Sequence, residues 1–151
     1  MKVVEVDADA THDLRRRVLR GGRPDAEIHY AEDEHPEAFH LGVLDGEDRI
    51  VAVATWSPAP TPRRPGARAW RLRGMAVEPD VQSAGVGALL LVAAVERLEA
   101  AGVEVLWADG RDTALRFYER HGWVVEGDGY LSGPHDIPHH TVVRDLRARK
   151  E

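Results

Sequence analysis

The chain has 151 residues, enough to bury a core as one domain, and a net charge of −6 that disfavours a general nucleic-acid binder. Cysteine is absent, which excludes a disulfide scaffold, a thiolate zinc site, an iron–sulfur cluster and any cysteine acyl-enzyme. No apolar run approaches the ~18 residues of a membrane span, and the start MKVVEVDADAT is too acidic for a signal peptide, so the expected location is the cytoplasm.

Lys2–Val6 predicts a first strand. Leu14, Val18 and Leu19 then form an apolar stripe for a helix to about Arg20, with Thr11 as its N-cap and Gly21-Gly22-Arg23-Pro24 as its stop. Residues 25–38 are polar, acidic and without period, and are expected to be mostly loop. Phe39–Leu44 and residues 50–56 predict two strands joined by Asp45-Gly46-Glu47-Asp48 as a hairpin. Residues 58–66 hold four prolines, which remove donors and fix φ, so no regular element is expected there. Ala69–Val77 is the next strand, closed by Glu78-Pro79.

Val86, Leu89, Leu90, Ala93 and Leu98 predict the strongest helix, over residues 84–101, ended by Gly102. Residues 103–108 read as a strand and residues 113–120 as a helix. Residues 123–126 and 140–146 read as the last strands, separated by a Gly/Pro-rich loop. The order β α β β β α β α β β mixes hairpins with strand–helix–strand crossovers. It predicts an α/β fold: a mixed, mostly antiparallel central sheet with helices on both faces.

The run that carries chemistry is Gln82-Ser83-Ala84-Gly85-Val86-Gly87-Ala88, between a strand and the long helix. Backbone N–H groups in the first turn of a helix lack internal partners and sit at the positive end of its dipole. Glycine at 85 and 87 lets an anion approach them, which points to a phosphate or pyrophosphate site; tight helix–sheet packing is the alternative reason for two glycines. A Walker loop is excluded because no G-K-[ST] follows, and a dinucleotide fold because the third glycine is missing.

About thirty residues later comes Arg116-Phe117-Tyr118-Glu119-Arg120-His121-Gly122-Trp123. With both segments in place the chain resembles the GNAT superfamily of acetyl-CoA-dependent N-acyltransferases. Residues 82–87 match its (Q/R)-x-x-G-x-(G/A) loop, and residues 114–123 look like its A-x-x-F-Y-x-x-x-G-F segment with Trp for the last Phe. The resemblance implies that Met75, Ala76 and Val77 line the pantetheine arm, with Met75 and Val77 pairing their backbone to it like an added strand. It implies that Gln82, Ser83, Ala84, Gly85, Val86, Gly87 and Ala88 surround the pyrophosphate. Tyr118 would protonate the departing CoA thiolate, a task suited to a phenol that is neutral at pH 7. Phe117 is assigned to the core. Many relatives carry Asn where this chain has Arg111, so Arg111 either meets a CoA phosphate or faces solvent.

Without a cysteine nucleophile, the expected reaction is direct attack of a primary amine, of a small molecule or a peptide, on acetyl-CoA in a ternary complex. Something must accept the amine proton. Strand 69–77 offers no carboxylate, which leaves Glu78 just past its end, and His139 and His140 at the opening of the last strand, as base candidates, with Glu78 and His140 put first. His135, His139 and His140 could suggest a metal, but Pro134 and Pro138 oppose the helix that such spacing needs, and none is expected. The other readings are a non-catalytic acyl-CoA-binding or interaction module on the same scaffold and a nucleotide-binding regulator. A homodimer is the assembly to test.

Residues 1–50 hold 7 Lys+Arg against 13 Asp+Glu, and residues 51–100 hold 6 against 4. Glu27, Glu32, Asp33, Glu34 and Glu37 fall in the loop that in the GNAT layout walls the acceptor side. A cleft of one sign concentrates ligands of the other, so a cationic amine is the expected acceptor, with a merely solvated loop as the alternative.

Overall fold

Strands form where β-branched and apolar residues run together. Over residues 1–146, the part that the computed structural model describes, seven strands do so, mostly antiparallel and with helices between them. Two compact units result, Met1–Pro58 with Leu72–Arg97, and Ala59–Arg71 with residues 98–146.

In the first unit β1 (Lys2–Val6) pairs antiparallel with β2 (Phe39–Leu44), from Lys2↔Leu44 to Val6↔His40. β2 pairs antiparallel with β3 (Ile50–Pro58), with a bulge at Val43/Leu44, and β4 (Ala69–Val77) is the next neighbour. Val43, Val51, Val53 and Trp56 are completely buried. The helical run after β1 is a 3₁₀ turn Ala8–Thr11, a short α1 (His12–Leu14) and a π turn Arg15–Leu19. Its cap is Asp7 and not Thr11. Asp7 is extended, with φ −87 and ψ 172, and its carboxylate accepts the Ala10 N–H at 3.1 Å. Thr11 is already helical and buried, and its hydroxyl donates back to the Ala8 carbonyl at 2.7 Å. Leu14 packs on Val53 and Ala76, with Val18, Leu19 and Ile50 around them.

The segment 25–38 is not all loop: Ala31–Glu34 forms a 3₁₀ turn, and ion pairs hold it. Arg15 is fully buried. Its Nη1 donates to Ile28 O at 2.7 Å and to Asp33 Oδ2 at 2.8 Å. Its Nη2 donates to Asp33 Oδ1 at 2.9 Å and to Thr55 Oγ1 at 2.7 Å. Burial pushes the Asp33 carboxyl up, but the hydrogen bonds from Arg15 and the Tyr30 N–H outweigh it and hold the group below the usual carboxylate range. Glu32 is likewise paired, with Arg73 at 2.9 Å.

In the second unit the first three residues of β4 pair parallel with β5 (Val105–Arg111), Ala69↔Val105 to Arg71↔Trp107. β5 pairs antiparallel with β7 (Ile137–Asp145), and β7 with β6 (Val124–Ser132). Ala69, Val105 and Val143 form the core there, with Ala67 and Trp107 against them. β6 runs six residues beyond the expected end at Glu126, because its register breaks between Glu126 and Tyr130 and the glycines there absorb the bulge. The expected loop shrinks to a turn at residues 133–136. The proline-rich stretch after β3 is irregular, and Arg64 ties it down: its guanidinium reaches Glu126 at 2.7 Å and Asp145 at 2.8 Å. No helix among the described residues is long and apolar enough to cross a membrane.

His40 makes the first unit sensitive to acid. Thr55 Oγ1 accepts from Arg15 and stands 2.8 Å from His40 Nδ1, deep in the unit. Burial pushes the His40 imidazolium down; Asp33 opposes this and Arg15 adds to it. A folded-state pKa below the unfolded ~6.5 means stability complete above that pH and lost as pH falls through the folded value. Urea unfolding at pH 7.5 and 5.5 is expected to show this loss, and His40→Gln to flatten it. An equal loss in both proteins would acquit His40.

Candidate active site

The first unit carries a strand end and a loop. In β4 Ala76 is buried while Met75 and Val77 are half-buried. The chain then turns through a 3₁₀ segment Pro79–Ala84 to Gly85, at φ +74 and ψ 16. That left-handed conformation breaks the helix expected from Ala84, and α2 begins at Val86 and runs to Ala100. A Cβ at Gly85 would meet no atom within 4 Å, and Gln82, Ser83 and Ala84 are also exposed, whereas Val86 and Gly87 are buried. Gln82 folds back, its Nε2 donating to Val77 O at 3.1 Å, and so joins the strand end to the loop. Open backbone beside a fifteen-residue helix start is a surface that an anion fits.

Glu78 sits between them but is occupied. Its N–H donates to Val51 O at 2.8 Å, and its carboxylate takes both Arg17 nitrogens, at 3.1 and 2.5 Å. The Arg17 hydrogen bonds hold its carboxyl below the usual range, which makes it a poor proton acceptor.

The second unit, taken by itself, carries an aromatic and a histidine. Arg111 ends β5 in extended backbone and leads through Asp112–Ala114 into α3 (Leu115–Arg120). Tyr118 is buried, its ring 5.2 Å from Trp123 and 5.5 Å from Phe117. A Cβ at Gly110 would come within 3.2 Å of Tyr118 Cε2, so glycine there is what admits the ring. Burial alone pushes the Tyr118 phenol well above its ordinary value, so it stays protonated. Its hydroxyl makes no hydrogen bond among the described residues. Phe117, expected in the core, is only half-buried, edge-on to His121.

His140 pairs across the ladder with Gly110. Opposite residues of an antiparallel pair share a face, so His140 lies on the face that Tyr118 covers. Its Nδ1 stands 2.7 Å from Asp112 Oδ1. A carboxylate only accepts, so Nδ1 carries a proton and Nε2 is the nitrogen not tied to Asp112. Asp112 was not legible as its partner, being 28 positions away with no local signal. On the opposite face Asp109 accepts from Arg71 at 2.6 Å and from the Tyr130 hydroxyl. Burial and Asp109 push that phenol up to about 12. The acidic loop is less available than its composition suggests. Glu32 and Asp33 are taken by Arg73 and Arg15, which leaves Glu27, Glu34 and Glu37 exposed.

The acetyltransferase (GNAT) family matches residues 8–123. The chain belongs to the GNAT family. A relative over nearly the whole length of both chains is the "Uncharacterized N-acetyltransferase YitI" of Bacillus subtilis (strain 168), 30% identical over 155 residues, 99% of each. Among solved structures, an aminoglycoside 6'-N-acetyltransferase complexed with coenzyme A is similar over all of both chains at TM-score 0.77 and 17% identity. FeeM, an N-acyl amino acid synthase from uncultured soil microbes, covers 97% of this chain and 95% of its own at TM-score 0.79 and 14% identity. At these identities the two structures speak for the fold. They agree with the seven-strand, mostly antiparallel sheet of this GNAT chain.

The Gly110–Tyr118 contact is open to test. Gly110→Val should force the ring aside and destabilise the GNAT chain by about 1–3 kcal/mol, read as a lower urea midpoint, with a smaller effect for Gly110→Ala.

Proposed function

We propose that the protein transfers the acetyl group of acetyl-CoA to a primary amine by direct attack in a ternary complex. The observation that carries this is Tyr118: a fixed, neutral phenol with an uncommitted hydroxyl, inside the stretch that the family matches. The C–N bond forms as the C–S bond breaks, and Tyr118 gives its proton to the leaving sulfur. Support for the donor comes from the open loop at Gln82–Gly85 and from the coenzyme A complex of the similar aminoglycoside enzyme. Gln82, Ser83, Ala84, Gly85, Val86, Gly87 and Ala88 would hold the pyrophosphate, Met75, Ala76 and Val77 the pantetheine arm, and Arg111 a phosphate.

His140 takes the amine proton on Nε2, with Asp112 holding its tautomer and stabilising the imidazolium that forms. Glu78, bound by Arg17, is the weaker candidate. The acceptor is an amine on a small molecule or a peptide, and the remaining exposed carboxylates favour a cationic one.

Tyr118→Phe should lower kcat by about 10²–10⁴-fold while leaving the acetyl-CoA Kd nearly unchanged. Normal turnover in that variant would remove Tyr118 from the chemistry. Gly85→Val and Gly87→Val should weaken acetyl-CoA in calorimetry; unaltered affinity in both would move the pyrophosphate elsewhere. A panel of cationic, neutral and anionic amines at low and high salt identifies the acceptor class: KM for cationic amines should rise with salt. Binding of acetyl-CoA without thiol release for any amine would favour the non-catalytic module.

A further inference from the structure

Tyr30 is buried at 5% exposure, yet the reaction as proposed gives it no task. The guanidinium carbon of Arg15 stands 3.9 Å from its ring centroid and that of Arg73 4.0 Å. Both guanidiniums are anchored by carboxylates of the adjacent 3₁₀ turn, Arg15 by Asp33 and Arg73 by Glu32. A ring gripped by two cations at these distances has little freedom to move. Its Cε2 edge is pressed on Gly74 of β4, where a Cβ would stand 2.8 Å from Cε2 and 3.2 Å from Arg15 Nε.

Gly74 has φ +69 in the middle of a strand, a left-handed kink where extended backbone would be the default. Glycine is needed there twice, for the conformation and for the space that the ring takes. The next residue is Met75, the first of the three that would meet the pantetheine arm. A kink changes the direction of every backbone group that follows it.

We propose that Tyr30 is a positioning residue: its ring holds the Gly74 kink and thereby aims the backbone of Met75–Val77 at the acyl end of the donor. This rests on the acetyl-CoA reading of that strand. Affinity would come chiefly from the separate loop at Gln82–Ala88, so loosening the kink should misplace the reacting carbonyl without releasing the donor. Misplacement of about 1 Å can cost ~10²-fold in rate.

The test compares Tyr30→Ala, Tyr30→Leu and Tyr30→Phe at a temperature where circular dichroism finds each folded. Tyr30→Ala is expected to lower kcat by about ten- to a hundredfold and to leave the acetyl-CoA Kd within about twofold. Tyr30→Phe, which keeps the ring, should match the parent in both; should the alanine variant not fold, Tyr30→Leu carries the same expectation. Unchanged kcat in Tyr30→Ala or Tyr30→Leu overturns the proposal. So does a phenylalanine variant as slow as the alanine one, which would assign the hydroxyl a chemical part, or a Kd that rises in step with the fall in kcat. Calorimetry on the parent protein separates the two levels: if it does not bind acetyl-CoA, the donor reading fails and this proposal falls with it, whereas binding and turnover with an indifferent Tyr30 sink the proposal alone.

Discussion

The guanidinium of Arg15 is sealed from water, and a buried cation must find every partner inside the protein. Four hydrogen bonds answer that demand at Nη1 and Nη2, leaving Nε buried without a partner among the described residues, and they come from three different places: the carbonyl of Ile28, the carboxylate of Asp33 and the hydroxyl of Thr55 on β3. Once these bonds are made, residues 28–33 have no other course open to them than the one that runs beside β3 and β4. The shape of an otherwise structureless acidic stretch is therefore set by a residue of the preceding helical run. Taking away Asp33 would leave the cation stranded, a change of about 3–5 kcal/mol in comparable buried pairs. The pairing also holds the Thr55 hydroxyl, which stands 2.8 Å from His40 Nδ1. One charge thus ties a loop to the hydroxyl of a neighbouring strand.

What could be read beforehand was what local pattern encodes. β1, β2 and β4 have the bounds that their β-branched runs suggested, because each is a complete unit of alternation or of unbroken apolar character. The GNAT assignment was legible for the same reason: a glycine-bearing turn and an aromatic helix are each contiguous in sequence. Boundaries set by conformation and not by hydrophobicity were missed. Asp7 caps the first helical run in place of Thr11 because its backbone, not its side-chain type, is the one in the extended region. Val86 opens α2 because Gly85 is left-handed, which no apolar spacing reveals. β6 outlasts its predicted end because a bulge let glycines remain in the ladder.

The side-chain pairings were less visible still. The acidic loop looked like a source of negative charge, but two of its carboxylates are spent on arginines that lie 18 and 41 positions away. In sequence His140 has no visible partner, whereas in the fold Asp112, 28 positions earlier, stands against its Nδ1. Such partners are chosen by the register of strands, and register is a property of the assembled sheet. The sequence named the chemistry-bearing side chains of the family motifs; only the fold could show which of them are already committed to something else.

Arg64 bears on how the second unit comes apart. It links the proline-rich stretch to Glu126 and Asp145, which are 62 and 81 positions further along the chain. Closing a contact across so much chain costs loop entropy that the strands carrying the two carboxylates must offset. Interactions absent from the folding transition state leave the forward rate almost untouched and slow the reverse one. Where its contacts close after that transition state, the arginine acts as a latch in time: it lengthens the native lifetime of the unit, and with it the interval during which a protease finds the proline-rich stretch closed.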